Sequence, residues 1–349
     1  MTSLHRSQVR HSAQGFSLVE LMVSLTIGLV IAIAAMSAYL GAASAGKVAE
    51  AQSRMNEDAQ AALGILSQQL RMTGNNPSQA NRTMESQRNP IYLPTPTFSL
   101  PTPTFTFSTV PATFTLSGFS LRGCDGKFNN ITATLATLAT LDTSTCVSGT
   151  SSSPPDSIAI NYEADMFNTL PTTISPIRPT DCLGFGLTPI AASLPTVTTA
   201  TTPTLSSSTV TYYVAENRFY VGTSSAIITP SLYCKGNGGA GTQQPLVENI
   251  EDMQFMYGTI SASTTATTAT VAGYLRADEV AGLGTTPADD ATRWGKVLSV
   301  RVCVLVRSES QVASTPTRYR NCAGTVVTPS DRYLRRAYAT MVVLRNRRF

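Results

Sequence analysis

The sequence predicts an α+β protein in which one long N-terminal helix packs on an antiparallel β-rich body interrupted by large Thr/Ser/Pro-rich insertions. Three observations carry that expectation. An apolar run over residues 16–40 holds a single charge, Glu20. Apolar residues then recur at steps of three and four from Val48 to Leu70. Beyond residue 150, several segments alternate β-branched or aromatic residues with polar ones, and stretches dense in Thr, Ser and Pro separate them.

Composition narrows the function classes. The 349 residues are 42% hydrophobic and 13% charged, enough apolar mass for a core. Net charge is +4, but two of the 25 basic residues, Arg6 and Arg10, precede the apolar run, leaving 23 against 21 acidic ones. That balance gives no general case for a nucleic-acid partner. The two histidines, His5 and His11, also precede the run. Once such a leader is removed, Ser-His and Cys-His catalysis and the commonest zinc ligand are gone, so no enzyme is expected. No GxGxxG or P-loop occurs, and no cofactor is expected.

As a helix at about 1.5 Å per residue, residues 16–40 exceed the roughly 30 Å of a bilayer's hydrocarbon. Basic residues before the run and cysteines after it place the N-terminus in the cytoplasm and the body outside. Ala43-Ser44-Ala45 fits an A-x-A signal cleavage site, but the apolar stretch is longer than an ordinary signal core, and helical patterning continues through the site. A simple anchor leaves Glu20 unexplained, because a carboxylate in a spanning helix normally has a partner and a function. If the chain is cut between Gly15 and Phe16, the new α-amino group lies at i and i+4 from Glu20. When such helices pack side by side with an axial stagger, Glu20 of one meets the terminal amine of the next. The low dielectric penalises every register that leaves the charge alone, so Glu20 reads as a register device for assembly.

The stretch GFSLVELMVSLTIG resembles the class III signal of type IV prepilins and pseudopilins. The resemblance implies that residues 1–15 are a leader, that a prepilin peptidase cuts after Gly15, and that the same enzyme methylates the amine of Phe16. Unlike many major pilins, this helix has no proline in its membrane half and offers only Gly28 and Gly41 as soft points.

Val48, Ala51, Met55, Ala59, Ala62, Leu66 and Leu70 form the stripe of an amphipathic helix, with Lys47, Arg54, Glu57, Asp58, Gln60 and Gln68 off it. Gly74-Asn75-Asn76-Pro77 supplies a C-cap and a breaker. One helix is therefore expected over 16–73, roughly 85 Å long. Its part 16–40 is the transmembrane and filament-core section, and 41–73 lies on a β-rich body of residues 74–349.

Within the body, repeated prolines over 77–120 predict extended surface structure. The Thr/Ser-rich stretches 131–153, 195–209 and 260–270 read as loops. Strands are expected at 156–163, 209–215, 218–222, 250–258, 296–308 and 333–346, forming one antiparallel sheet against the helix. Glu216-Asn217 is expected as a tight hairpin turn. Cys124, Cys146, Cys182, Cys234, Cys303 and Cys322 show no metal-ligand spacing and read as disulfides; six cysteines allow 15 connectivities, of which nearest-neighbour pairing is the expectation. Asp289-Asp290 and Glu251-Asp252 lack a calcium-loop frame and read as solvated turns, with no metal expected. Arg332, Arg335, Arg336, Arg345, Arg347 and Arg348 read as a charged edge that resists strand-on-strand association, with a protein partner second and DNA not favoured. Trp294 is expected in core or hairpin packing rather than as a ligand anchor.

PPDSIAINYE, LVENIEDMQFMYG, VLSVRVCVLVRS and YATMVVLRNRRF resemble the PilW family of minor pilins; the middle two also resemble the J-type minor pseudopilins of type II secretion. The first resemblance implies a type IV pilin-like fold, residence in the inner membrane, and then incorporation into an extracellular pilus. Its partners would be other minor pilins and the major pilin. The role would be priming of assembly from a tip complex, with twitching motility, adhesion (through a tip adhesin) or DNA uptake downstream. The alternative is a pseudopilin of a type II secretion machine.

Overall fold

The computed structural model describes residues 15, 17–74, 97–99, 104–106, 120–129, 146, 154–197, 205–224, 227–239, 243–260, 270–282 and 290–346. The chain divides into two compact units, Met1–Glu50 and Ala51–Phe349. Helix α1, Leu18–Met72, contributes to both.

In the first unit, α1 is exposed along its whole apolar length. Ser24, Thr26, Ser37 and Ser44 each donate a hydroxyl hydrogen bond to a carbonyl three or four residues back. These hydroxyls need no outside partner, which leaves Glu20 as the only charged side chain from Ser17 to Gly46.

In the second unit, the stripe read from the sequence is buried at Met55, Ala59, Ala62, Leu66 and Leu70. The helix stops at Gly74, whose φ of 69° is the left-handed conformation glycine favours past a helix end, and whose amide donates to Asn161 O. Two antiparallel sheets share one hydrophobic core with that stripe. The first has the order β3 (Leu121–Cys124), β4 (Ser157–Glu163), β7 (Val214–Gly222), β8 (Ser231–Lys235), β9 (Gln244–Glu248). The second has the order β11 (Val271–Leu275), β10 (Ile250–Ile260), β12 (Val297–Arg307), β15 (Arg335–Val343). Short hairpins are formed by β1 (Thr97–Ser99) with β2 (Thr104–Thr106), β5 (Ile190–Val197) with β6 (Leu205–Tyr212), and β13 (Tyr319–Arg320) with β14 (Val326–Val327).

The expected single sheet is thus two, and the chain crosses between them at Asn249. This residue has φ 64°, a conformation Asn tolerates, and lets β9 of one sheet turn directly into β10 of the other. Its side-chain amide donates to Asp58 on α1 at 3.0 Å, so the corner is pinned to the helix.

Three further expectations are corrected. Glu216 and Asn217 lie inside β7, opposite Asn161 and Ile160 of β4, and are buried. Glu216 is ion-paired to buried Arg218, and the Asn217 side chain donates to Gln69 on α1 and accepts from the amide of Cys182. These polar residues find their partners inside the fold, so no turn forms. The Thr/Ser-rich stretch 195–209 contributes the ends of β5 and β6. Glu251-Asp252 is strand rather than turn. The loop stretches 131–153 and 260–270 fall almost wholly outside the described residues.

Three disulfides join sequence neighbours, Cys124–Cys146, Cys182–Cys234 and Cys303–Cys322. They tie β3 to residue 146, the segment before β5 to β8, and β12 to the segment between β13 and β14. Among the core side chains, Trp294 of a short helix α3 (Asp290–Gly295) packs edge-on against Tyr257, with ring centroids 4.8 Å apart. A short helix α2, Ala277–Gly282, precedes it. Gly123 is required where it stands, because a Cβ there would overlap the Tyr257 hydroxyl.

Candidate functional site

Among the described residues no group of three His, Cys, Asp or Glu side chains converges as a metal site. Three features of the described surface stand out. The first is the apolar section of α1 with Glu20. Among the described residues it is the one helix long and apolar enough to cross a membrane, and none of that section is buried within the chain. Gly15 is exposed at its start. Phe16, His5 and His11 lie outside the described residues.

The second is the loop between β4 and β5. Asp165 opens it by accepting the amides of Phe167 and Asn168, and Asn168 returns a bond to Glu163 O. Thr180 donates to Leu170 O, and Arg178 N donates to Thr172 Oγ1. Asp181 accepts the amides of Leu183, Phe185 and Gly238, and Cys182 bonds Cys234. On this tightly bonded frame Phe167, Leu170 and Ile174 are 97%, 82% and 80% exposed. No charged residue lies between Asp165 and Arg178. Sequence reasoning passed over this loop; the uncharged run MFNTLPTTISPI was the available signal.

The third is the edge of the second sheet. β15 is its outer strand, and the arginines divide there. The Arg335 side chain is buried between Asp331 and Glu251, which it holds at 2.6 and 2.5 Å. The Asp331 hydrogen bond first, then Glu251, keep its guanidinium charged, while the same bond holds Asp331 below the usual carboxylate range. Arg332, Arg336 and Arg345 are exposed, and Arg347 and Arg348 lie outside the described residues. The expected charged edge is present, with one arginine withdrawn into an internal clamp. Glu251, expected in a solvated turn, is part of that clamp. Asp252 accepts from Gln254 and its carboxyl is raised by burial. Asp290 begins α3, and Asp289 lies outside the described residues.

Residues 218–346 match PilW, described as Type IV Pilus-assembly protein W. Residues 10–36 match the prokaryotic N-terminal methylation motif. The chain is therefore similar to the PilW family over its C-terminal part and to the methylation motif at its N-terminus. The PilW match begins in β7 and takes in the whole four-stranded sheet, its Asn249 corner and the Arg335 clamp. The β4–β5 loop lies outside it. The methylation motif spans Gly15, Phe16 and Glu20, so the N-terminal apolar helix fits a membrane-held pilin precursor. A type IV-like pilin from Thermus thermophilus is similar at 13% identity over 56% of this chain and 81% of its own, with a TM-score of 0.27. So low a score transfers no residue roles. No curated protein matches the sequence.

Proposed function

We propose that this chain is a minor pilin of the PilW kind that primes type IV pilus assembly and stays in a tip-associated complex with other minor pilins. A prepilin peptidase removes residues 1–15 and methylates Phe16, the subunit waits in the inner membrane, and it is then drawn into the filament. The observation that carries this reading is Glu20, the single charge in an otherwise uncharged exposed helix face, inside a matched methylation motif. Packed against like helices, Glu20 meets a neighbour's terminal amine and sets the axial register. The head supplies the choice of neighbour, and the rigid apolar β4–β5 loop is the surface best suited to it. A Phe exposed on a frame that loses little entropy on docking has the character of an interface anchor.

The test uses Glu20→Ala in cells that make pili. The variant should be processed to begin at Phe16 and accumulate in membranes, yet be missing from sheared pili; wild-type incorporation would refute the register role. Phe167→Asp should keep processing and folding while weakening coprecipitation with other minor pilins by about tenfold, the loss of one buried anchor. Coprecipitation with secretion components instead would assign the chain to a type II secretion machine.

A further inference from the structure

The two sheets have four edge strands, β3, β9, β11 and β15, and three of these edges are blunted. β3 has four residues, Gly123 among them. β9 has five, includes Pro245, and slips register against β8 between Leu232 and Tyr233. β11 has five, includes Gly273, and meets β10 across a register shift at Thr259 and Ile260. Short strands, proline and bulges are the devices that keep a sheet edge from recruiting another chain. β15 carries none of them: nine residues without glycine or proline pair with β12 in one unbroken register. Among the described residues no strand lies beyond it.

The ladder determines which groups that edge presents. Ser308 N donates to Leu334 O and Leu344 N to Leu298 O, both at 2.8 Å, and both pairs continue the β12–β15 register. Bonded pairs alternate along an antiparallel ladder, so the even-numbered residues from Leu334 to Leu344 use their main-chain groups on β12. Arg335, Ala337, Ala339, Met341 and Val343 turn theirs outward. The strand is also fastened at both ends to its own fold. Arg335 is clamped by Asp331 and Glu251, and the Asn346 side chain donates to Arg71 O on α1 at 2.8 Å. An edge fixed in advance loses little entropy when another strand joins it. Its stretch from Ala337 to Leu344 is uncharged, with Met341 and Val343 more than half exposed. Exposed Arg332 and Arg336 stand at one end and exposed Arg345 at the other, and no acidic residue occurs from Arg332 to Phe349. These arginines bracket the edge without interrupting it.

We propose that β15 is a strand-docking edge that takes an extended segment of another protein, apolar or β-branched in its middle and acidic at its ends. Main-chain bonds to the five outward residues supply affinity, Met341 and Val343 receive alternate side chains, and the arginines at either end select carboxylates. A second copy of this chain is not the occupant, because pairing β15 with itself, parallel or antiparallel, sets one arginine-bearing end against another. The edge belongs to a different sheet from β4 and its following loop, and its occupancy does not depend on which assembly machine uses the chain.

The test is residue-resolved hydrogen exchange of the full chain in detergent micelles. The probe is a capped peptide of alternating Thr and Val flanked by two aspartates at each end, and a control peptide carries lysines in their place. In the chain alone, the amides of Ala337, Ala339, Met341 and Val343 should exchange at least about tenfold faster than those of Tyr338, Thr340 and Val342. The acid-ended peptide at about 1 mM should slow the outward set by about tenfold, as for a dissociation constant of about 0.1 mM, and the lysine-ended one should leave it unchanged. Arg336→Glu combined with Arg345→Glu should swap the effects of the two peptides. Ala339→Pro replaces an outward N–H, so it should keep the urea midpoint of the wild type and lose the peptide response. Outward amides as slow as the inward ones in the chain alone would overturn the proposal. So would a failure of the acid-ended peptide to protect them, or equal protection by both peptides.

Discussion

Leu29 and Leu66 belong to one uninterrupted helix and have opposite surroundings. Leu29 is 59% exposed and the large apolar residues around it are exposed too, whereas Leu66 is wholly buried in the core that it shares with the two sheets. The sequence encodes the difference in its periodicity. Through residues 18–46 apolar side chains occupy all sides, so no face of the helix is singled out for a body to cover. From Met55 to Leu70 they occupy one stripe, and the polar flanks bond to the body: Asn56 accepts from Tyr338, Asp58 from Asn249, and Gln69 from Asn217. The second half of α1 finds its apolar surroundings within its own chain. The first must be covered by lipid or by other helices, and there the sole charge becomes the feature that distinguishes one packing register from another.

Like substitutions in the two halves sharpen that contrast. Leu66→Ala should destabilise the second unit by about 2–5 kcal/mol, through lost transfer energy and a cavity. Leu29→Ala should leave its urea midpoint where it is; an equal shift in both would mean that the apolar half is also part of the folded body. Next in size, Asn217→Ala removes a buried amide that joins α1 to β7 and to the loop, leaving the Cys182 amide and Gln69 without it. A loss of about 1–3 kcal/mol is expected in the same urea titration. Smallest is Arg54→Ala, which breaks an exposed 3.0 Å ion pair with Glu309. It should change stability by less than about 1 kcal/mol and by less still in high salt.

What was legible in advance follows the same physics. The helix, its stripe and its glycine stop were readable because period and capping are local properties. The strands 250–260, 297–307 and 335–343 were readable because their alternation is clean and their inward faces are apolar. Glu216-Asn217 was misread because two adjacent polar residues resemble a turn until Arg218 and Gln69, the latter 148 residues away in sequence, are brought beside them. The second sheet was missed for a similar reason. A left-handed Asn249 folds the chain from one sheet into the other, and its bond to Asp58 is visible only in three dimensions. In the functional regions, the N-terminal motif was legible as a motif because it consists of fixed offsets along one helix. The apolar loop could not, because its residues become an exposed surface only after Asp165, Asp181 and a disulfide have fixed the backbone beneath them.

The central claim is that the exposed half of α1 is a filament helix released by cleavage after Gly15. The most direct measurement is the intact mass and first residue of the protein recovered from membranes of cells with and without a prepilin peptidase. The account predicts a peptidase-dependent product that begins at N-methylated Phe16 and retains Glu20. A product beginning at Gly46 and formed without that peptidase would contradict it, because the helix whose exposure needs explaining would then be a discarded signal.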